Sequence, residues 1–210
     1  MTVDFLETPP AGSTRATLLL AHGAGAPMDS DFMNLLCRSL SEWNIRVLRF
    51  EFPYMAARRE GGGKRPPNPM GVLLDSFRAH HAALSGPLFI GGKSMGGRVA
   101  SLLANELMPA GVICFGYPFH PPGKPERTRT DHLGALKVPM LVVQGTRDPF
   151  GKPEEVTGYD LAEQIELCWL HTGDHDFKPL KSSGLSQRQL IEQAAEAACS
   201  FIENVEPQFC

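Results

Sequence analysis

The sequence predicts an α/β protein: a single-domain three-layer α/β/α sandwich around a mostly parallel sheet of six to seven strands. Apolar runs of four to eight residues alternate with longer amphipathic segments along the chain, the pattern of buried parallel strands covered by helices on both faces. Neither an internal repeat nor a break in composition divides the 210 residues, a length that suits one domain with a sizeable core. We therefore read residues 1–210 as one unit.

In chain order, "VDFLE" near the start reads as a weak edge strand and "ATLLLAH" (16–22) as a buried one. "DFMNLLCRSLSEW" (31–43) sets Phe32, Leu35, Leu36, Leu40 and Trp43 along one helical face. "RVLRFEF" (46–52) is the next strand and "GVLLDSFRAHHAALS" (71–85) the next helix. Strands at "LFIGG" (88–92) and "GVICFG" (111–116) enclose a helix at "MGGRVASLLANEL" (95–107). "MLVVQG" (140–145) and "IELCWL" (165–170) close the sheet, with a short helix near 154–164 between them. The last helix covers 186–205, where Ser186 and Gln189 have the spacing of a capping box, and a frayed tail over 206–210 is expected.

Two segments resist this scheme. Residues 53–71 and 117–139 are rich in proline, glycine and basic residues and are too long for ordinary connections. Each follows the C-terminal end of a predicted strand, the edge where open α/β sheets bind ligands. Both are expected to be long loops flanking an active site.

Composition narrows the function classes. Apolar residues make up 42% and charged residues 20% of the chain, as in ordinary globular proteins. A net charge of -3 gives no overall attraction for nucleic acid or an anionic membrane. The start, "MTVDFLETPPAG", carries acids and prolines where a secretory signal would be basic and then apolar. No apolar stretch approaches the roughly 20 residues of a membrane helix. The expectation is a cytoplasmic protein with neither membrane nor nucleic-acid partner, its oligomeric state left open. Five scattered cysteines without a C-x-x-C pair suggest reduced, mostly packed thiols.

The stretch "GPLFIGGKSMGGRVA" (86–100) admits two readings. A phosphate-cradling loop, G-x-x-x-x-G-K-[ST], needs glycine at 87, where the chain has Pro87 and no N–H to donate. The other pattern, G-x-S-x-G, is complete in Gly92, Lys93, Ser94, Met95 and Gly96, between a predicted strand and a predicted helix. Such a turn exposes a nucleophilic Ser94; a plain helix N-cap is the simpler role for the same serine.

A serine hydroxyl needs a base and a group that orients the base. With the chain order Ser, acid, His, "GTRDPFG" offers Asp148 after one strand and "HTGDHDF" offers His175 after the next. Asp160, Asp174 and Asp176 are rivals for the acid, and His171 for the base. His171 and His175 also form H-x-x-x-H, but without a glutamate after the first histidine or a helical context, so no metal site is expected. Acyl transfer also needs hydrogen-bond donors for an oxyanion. The N–H of Met95 and that of Ala24, in the small-residue loop "HGAGA", are the candidates, with His22 ordering the loop. Lys93 is expected to border the cleft, and Arg58 and Arg59, with Lys64 and Arg65, could draw in an acidic substrate.

Together "HGAGAPMDSDFM", "GGKSMGGR", "GTRDPFG" and "TGDHDF" resemble the α/β-hydrolase superfamily over nearly the whole chain. They look like its small, capless subfamily, which includes the hydrolase-like domain of a chromatin acetyltransferase-complex subunit and its bacterial relatives, with dienelactone-hydrolase-like enzymes farther away. The resemblance implies Ser94 as nucleophile, His175 as general base and then acid, and Asp148 as the group orienting His175. It further implies no lid domain, no metal or organic cofactor, and a small-molecule ester, thioester or related acyl substrate. A catalytically silent interaction domain built on the same fold is the alternative.

Overall fold

The computed structural model describes residues 3–61, 63 and 65–205. Its strands are β1 (Leu6–Thr8), β2 (Ala16–Ala21), β3 (Ile45–Phe50), β4 (Phe89–Lys93), β5 (Gly111–Phe115), β6 (Met140–Gly145) and β7 (Ile165–Leu170). They form one sheet in the order β1-β3-β2-β4-β5-β6-β7. All neighbours are parallel except β1, which runs antiparallel to β3 with Leu6 opposite Arg49 and Thr8 opposite Val47. The edge strand thus exists but sits a few residues later than the sequence suggested.

Side-chain alternation on the strands builds the two outer layers. From β2, Leu18 and Leu20 join Val47, Ile113 and Val143 under α1 (Asp31–Glu42) and α6 (Gln187–Val205). Leu19 and Ala21 instead join Leu48, Ile90 and Val142 under α3 (Met70–Ala82) and α4 (Met95–Leu107). Each fully buried Leu or Val contributes roughly 1.5–3 kcal/mol, so the central strands anchor both layers. The capping box of α6 forms reciprocally: the Ser186 N–H donates to Gln189 Oε1 at 2.8 Å and the Gln189 N–H to Ser186 Oγ at 3.3 Å.

Two expectations need correction. The segment 53–71 opens with a helix, α2 (Pro53–Arg59), whose Tyr54 and Met55 are buried in the α3/α4 layer. Pro53 suits a first helical turn because its φ is preset and its missing N–H is not needed there; the proline and glycine that follow obscured this helix. Conversely, the helix expected over 154–164 is only α5 (Pro153–Val156), and a turn from Glu155 O to the Gly158 N–H ends it. Lys64 and the expected tail over 206–210 lie outside the described residues. No helix among those residues is long and apolar enough to cross a membrane.

Candidate active site

The chain turns at Ser94 from β4 directly into α4. Ser94 has φ 51° and ψ −115°, a conformation costing on the order of 1–3 kcal/mol for a residue with a side chain. The tight turn leaves no room beside it. A Cβ on Gly92 would lie 2.4 Å from Gly96 C, and one on Gly96 would lie 2.6 Å from Ala21 O and 2.7 Å from His22 O. These neighbours are backbone atoms of α4, of β2 and of the loop after it, so they cannot swing aside. Gly96→Ala is accordingly expected to destabilise the fold by about 3 kcal/mol, read as a lowered denaturation midpoint; a loss below about 0.5 kcal/mol would show that the turn has slack. Although Ser94 occupies the N-cap position of α4, its side chain makes no capping bond.

Its hydroxyl instead meets His175, whose Nε2 is 2.9 Å from Ser94 Oγ. On the other side of the ring, His175 Nδ1 is 2.7 Å from Asp148 Oδ2. Asp148 is fully buried and its carboxylate also accepts from Gln144 Nε2 at 2.9 Å and from the Phe150 N–H at 2.8 Å. A carboxylate accepts only, so Nδ1 carries the ring proton and Nε2 is left free to accept from the serine. The loops holding acid and histidine are stitched together: the Thr146 N–H donates to Leu170 O and the Arg147 N–H to Gly173 O. A Cβ at Gly145 would fall 2.3 Å from Gly173 O, so glycine permits this approach. The Phe150 ring packs on the imidazole with centroids 4.2 Å apart.

The rival residues have other places. His171 and Asp160 are exposed. Asp174 uses Oδ1 to accept from the N–H groups of Asp176 and Lys178, shaping the loop that carries His175. Among the described residues no group of three or more His, Cys, Asp or Glu is arranged to hold a metal ion.

The loop after β2 is held from behind. His22 is buried, which pushes its pKa down and keeps the ring neutral. Its Nδ1 lies 2.7 Å from Gly23 O, and its Nε2 accepts from the Phe52 N–H at 3.1 Å. The Tyr54 hydroxyl donates to Ala24 O at 2.9 Å and lies 3.3 Å from Gly23 O. With the Gly23 carbonyl turned toward these groups, the N–H of Ala24, on the opposite side of a trans peptide, faces away from them. Neither that N–H nor the N–H of Met95 has an acceptor among the described residues. Tyr54 and Gln144 are thus supporting residues that sequence reasoning missed. Gln144 left a trace, as the polar residue in the apolar strand "MLVVQG"; Tyr54 left none.

These elements surround an open cleft of about 410 Å³ lined by Gly23–Ala26, Ser30, Phe32, Met33, Lys93, Ser94, Phe150, His175 and Asp176. Lys93 is there as expected, but Arg58 and Arg59 are not. The Arg59 guanidinium is bound by Glu51 at 2.6 Å and Asp29 at 2.5 Å, which raise its pKa further, and Arg58 reaches Met55 Sδ at 3.5 Å. The two long segments support the cleft rather than wall it. Tyr54 comes from the first; in the second, Tyr117 O accepts from Gln144 Nε2 at 3.1 Å and the His120 N–H donates to Phe150 O at 3.1 Å.

A parallel sheet with one antiparallel edge strand, a strained serine between β4 and α4, and, among the described residues, no inserted domain over the strand ends define an α/β-hydrolase fold without a lid. The comparison with known sequences agrees: residues 14–203 match the family described as "Alpha/beta hydrolase domain", and the chain belongs to that family. Among solved structures it is similar to an alpha-beta serine hydrolase homologue from Coxiella burnetii, at 20% identity and TM-score 0.69, covering 92% of this chain and 90% of that one. It is also similar to a serine hydrolase without lid from Xanthomonas campestris, at 21% identity and TM-score 0.66, covering 92% and 88%. A dienelactone hydrolase from Anabaena variabilis is similar at 19% identity and TM-score 0.70, covering 94% and 89%. At these identities the likeness is one of fold.

Proposed function

We propose that the protein is a serine hydrolase that cleaves an ester, thioester or related acyl substrate through an acyl-enzyme. The observation that carries this reading is the unbroken hydrogen-bonded chain from the buried Asp148 carboxylate through His175 to Ser94 Oγ at the cleft, 2.7 Å and then 2.9 Å long. In the first half-reaction Ser94 Oγ bonds to the substrate carbonyl carbon while its proton passes to His175 Nε2. The oxyanion rests on the N–H groups of Met95 and Ala24, and the leaving group departs with the proton from Nε2. In the second, water gives its proton to the same nitrogen and its oxygen to the acyl carbon, and Ser94 recovers its proton as the acid leaves. Asp148 stays ionised throughout and stabilises the imidazolium. Loss of one oxyanion donor would cost roughly 3–4 kcal/mol, which is why the bracing of the Ala24 loop by His22 and Tyr54 matters to the rate.

Treatment with a fluorophosphonate probe followed by peptide mapping tests the reading. Label is expected on Ser94 in the native protein and on neither Ser94→Ala nor His175→Ala. A folded native protein that takes no label would remove the hydrolase reading and leave a silent domain of the same fold.

A further inference from the structure

An ammonium group in a cleft is costly unless something of opposite charge meets it. Lys93 is such a group: its side chain is 8% exposed, yet it lines the cleft beside Ser94. Its nearest carboxylate oxygen, Asp176 Oδ1, is 3.7 Å away, beyond hydrogen-bonding distance. That carboxylate is 55% exposed, and its other oxygen lies 3.9 Å from Lys178 Nζ. The counterion is therefore solvated and shared, and it can be displaced without being stranded. On another side Lys93 Nζ stands 5.4 Å from the centroid of the Phe32 ring, a cation–π contact with a second lining residue. The fold also clears space for the ammonium: a Cβ at Gly116 would lie 3.2 Å from Lys93 Nζ and 3.3 Å from His175 Nδ1. Much of the remaining lining is apolar, from Ala24, Ala26, Met33 and Phe150. With Arg58 and Arg59 elsewhere, Lys93 is the cation that a substrate meets in this cleft among the described residues.

We propose that Lys93 reads an anionic group on the acyl chain, a carboxylate that replaces Asp176 on the ammonium, so that the substrates are half-esters or half-thioesters of short dicarboxylic acids. Lys93 and Ser94 line one cleft, so a carboxylate on the acyl chain can stay on the ammonium while the acyl carbon is bonded to Ser94, through both half-reactions. Burial brings the Lys93 pKa down to about 8, although Asp176, Asp148 and Asp174 all favour its charged form. A substrate carboxylate at hydrogen-bonding distance would meet the ammonium more closely than Asp176 does at 3.7 Å. This inference rests on the serine-hydrolase reading.

The test compares chain-matched esters. The mono-p-nitrophenyl esters of glutaric and adipic acid are set against p-nitrophenyl pentanoate and hexanoate, with fluorophosphonate labelling of Ser94 followed in the same preparations. In the native protein kcat/KM is expected to favour the acidic member of each pair by about 10- to 100-fold, the range for hydrogen bonds to a charged group. In Lys93→Met that ratio is expected to fall to about one or below, mainly through KM. In Asp176→Asn, which removes the competing carboxylate, the ratio is expected to hold or rise. A native protein that labels at Ser94 but shows no preference for the acidic esters, or does not turn them over, overturns the substrate class alone, however Lys93→Met folds. A preference that survives in folded Lys93→Met overturns the role of Lys93. Absence of both label and turnover overturns the hydrolase reading and this inference with it.

Discussion

His175→Ala is expected to lower kcat for a small p-nitrophenyl ester by about a millionfold while the fold persists. The size follows from what surrounds the nucleophile. Among the described residues, the side-chain atom hydrogen-bonded to Ser94 Oγ is His175 Nε2, so without the imidazole nothing takes the serine proton as the carbon–oxygen bond forms. What survives is the contribution of substrate binding and the oxyanion donors, about 10³- to 10⁴-fold over water. The fold should survive, because the half-buried ring gives up its packing on Phe150 and one hydrogen bond to Asp148, whose carboxylate keeps Gln144 Nε2 and the Phe150 N–H as donors. The measurement is steady-state turnover beside a thermal melt. A loss under about a hundredfold, far short of the expected value, would assign the proton to another group. Lys93, with its pKa lowered to about 8 by burial, would then declare itself through residual activity that rises across that pH.

Asp148→Asn is expected to cost about 10⁴-fold in kcat with a smaller loss of stability, about 1–3 kcal/mol. The native carboxylate faces three donors: Gln144 Nε2 and His175 Nδ1 at Oδ2, and the Phe150 N–H at Oδ1. An amide offers one oxygen and one NH₂ group in the same space. If its oxygen keeps the Phe150 N–H, its NH₂ drives His175 into the tautomer protonated on Nε2, which cannot accept the serine proton. If its oxygen faces His175, the NH₂ abuts the Phe150 N–H in a buried site. Gln144 cannot relieve the conflict freely, although its Oε1 has no partner. Rotating its amide would withdraw Nε2 from Tyr117 O at 3.1 Å and Gly151 O at 3.3 Å. Turnover within tenfold of native would mean that Asp148 does not govern the tautomer.

The parts of this site that could be read from the sequence are those whose geometry is local. The turn at Ser94 is specified by five consecutive residues, and the glycines flanking it are required by contacts of 2.4 and 2.6 Å with backbone. Asp148 and His175 both follow strand ends, which parallel strands deliver to one edge, whereas Asp160 falls in an expected helix, Asp174 and Asp176 crowd the histidine, and His171 sits at the strand's end with His175 deeper in the loop. Residues acting across elements were not legible. Tyr54 reaches the carbonyls of residues 23 and 24 only because α2 folds back beneath that loop, and α2 was hidden by the proline and glycine after it. Arg58 and Arg59 show the same limit from the other side. A sequence displays charge but not its partners, and Glu51 and Asp29 bind Arg59 away from the cleft. Residues 117–139 read as a loop flanking the site, yet Tyr117 and Phe119 are fully buried behind the Asp148 turn.

The left-handed twist at position 94 sets durability against reactivity at a single residue. Glycine would relax φ 51° and return on the order of 1–3 kcal/mol to the folded state, but it would delete the hydroxyl. Selection for heat tolerance alone would erode this position first, so a serine kept there under such pressure would be evidence that its oxygen is in use.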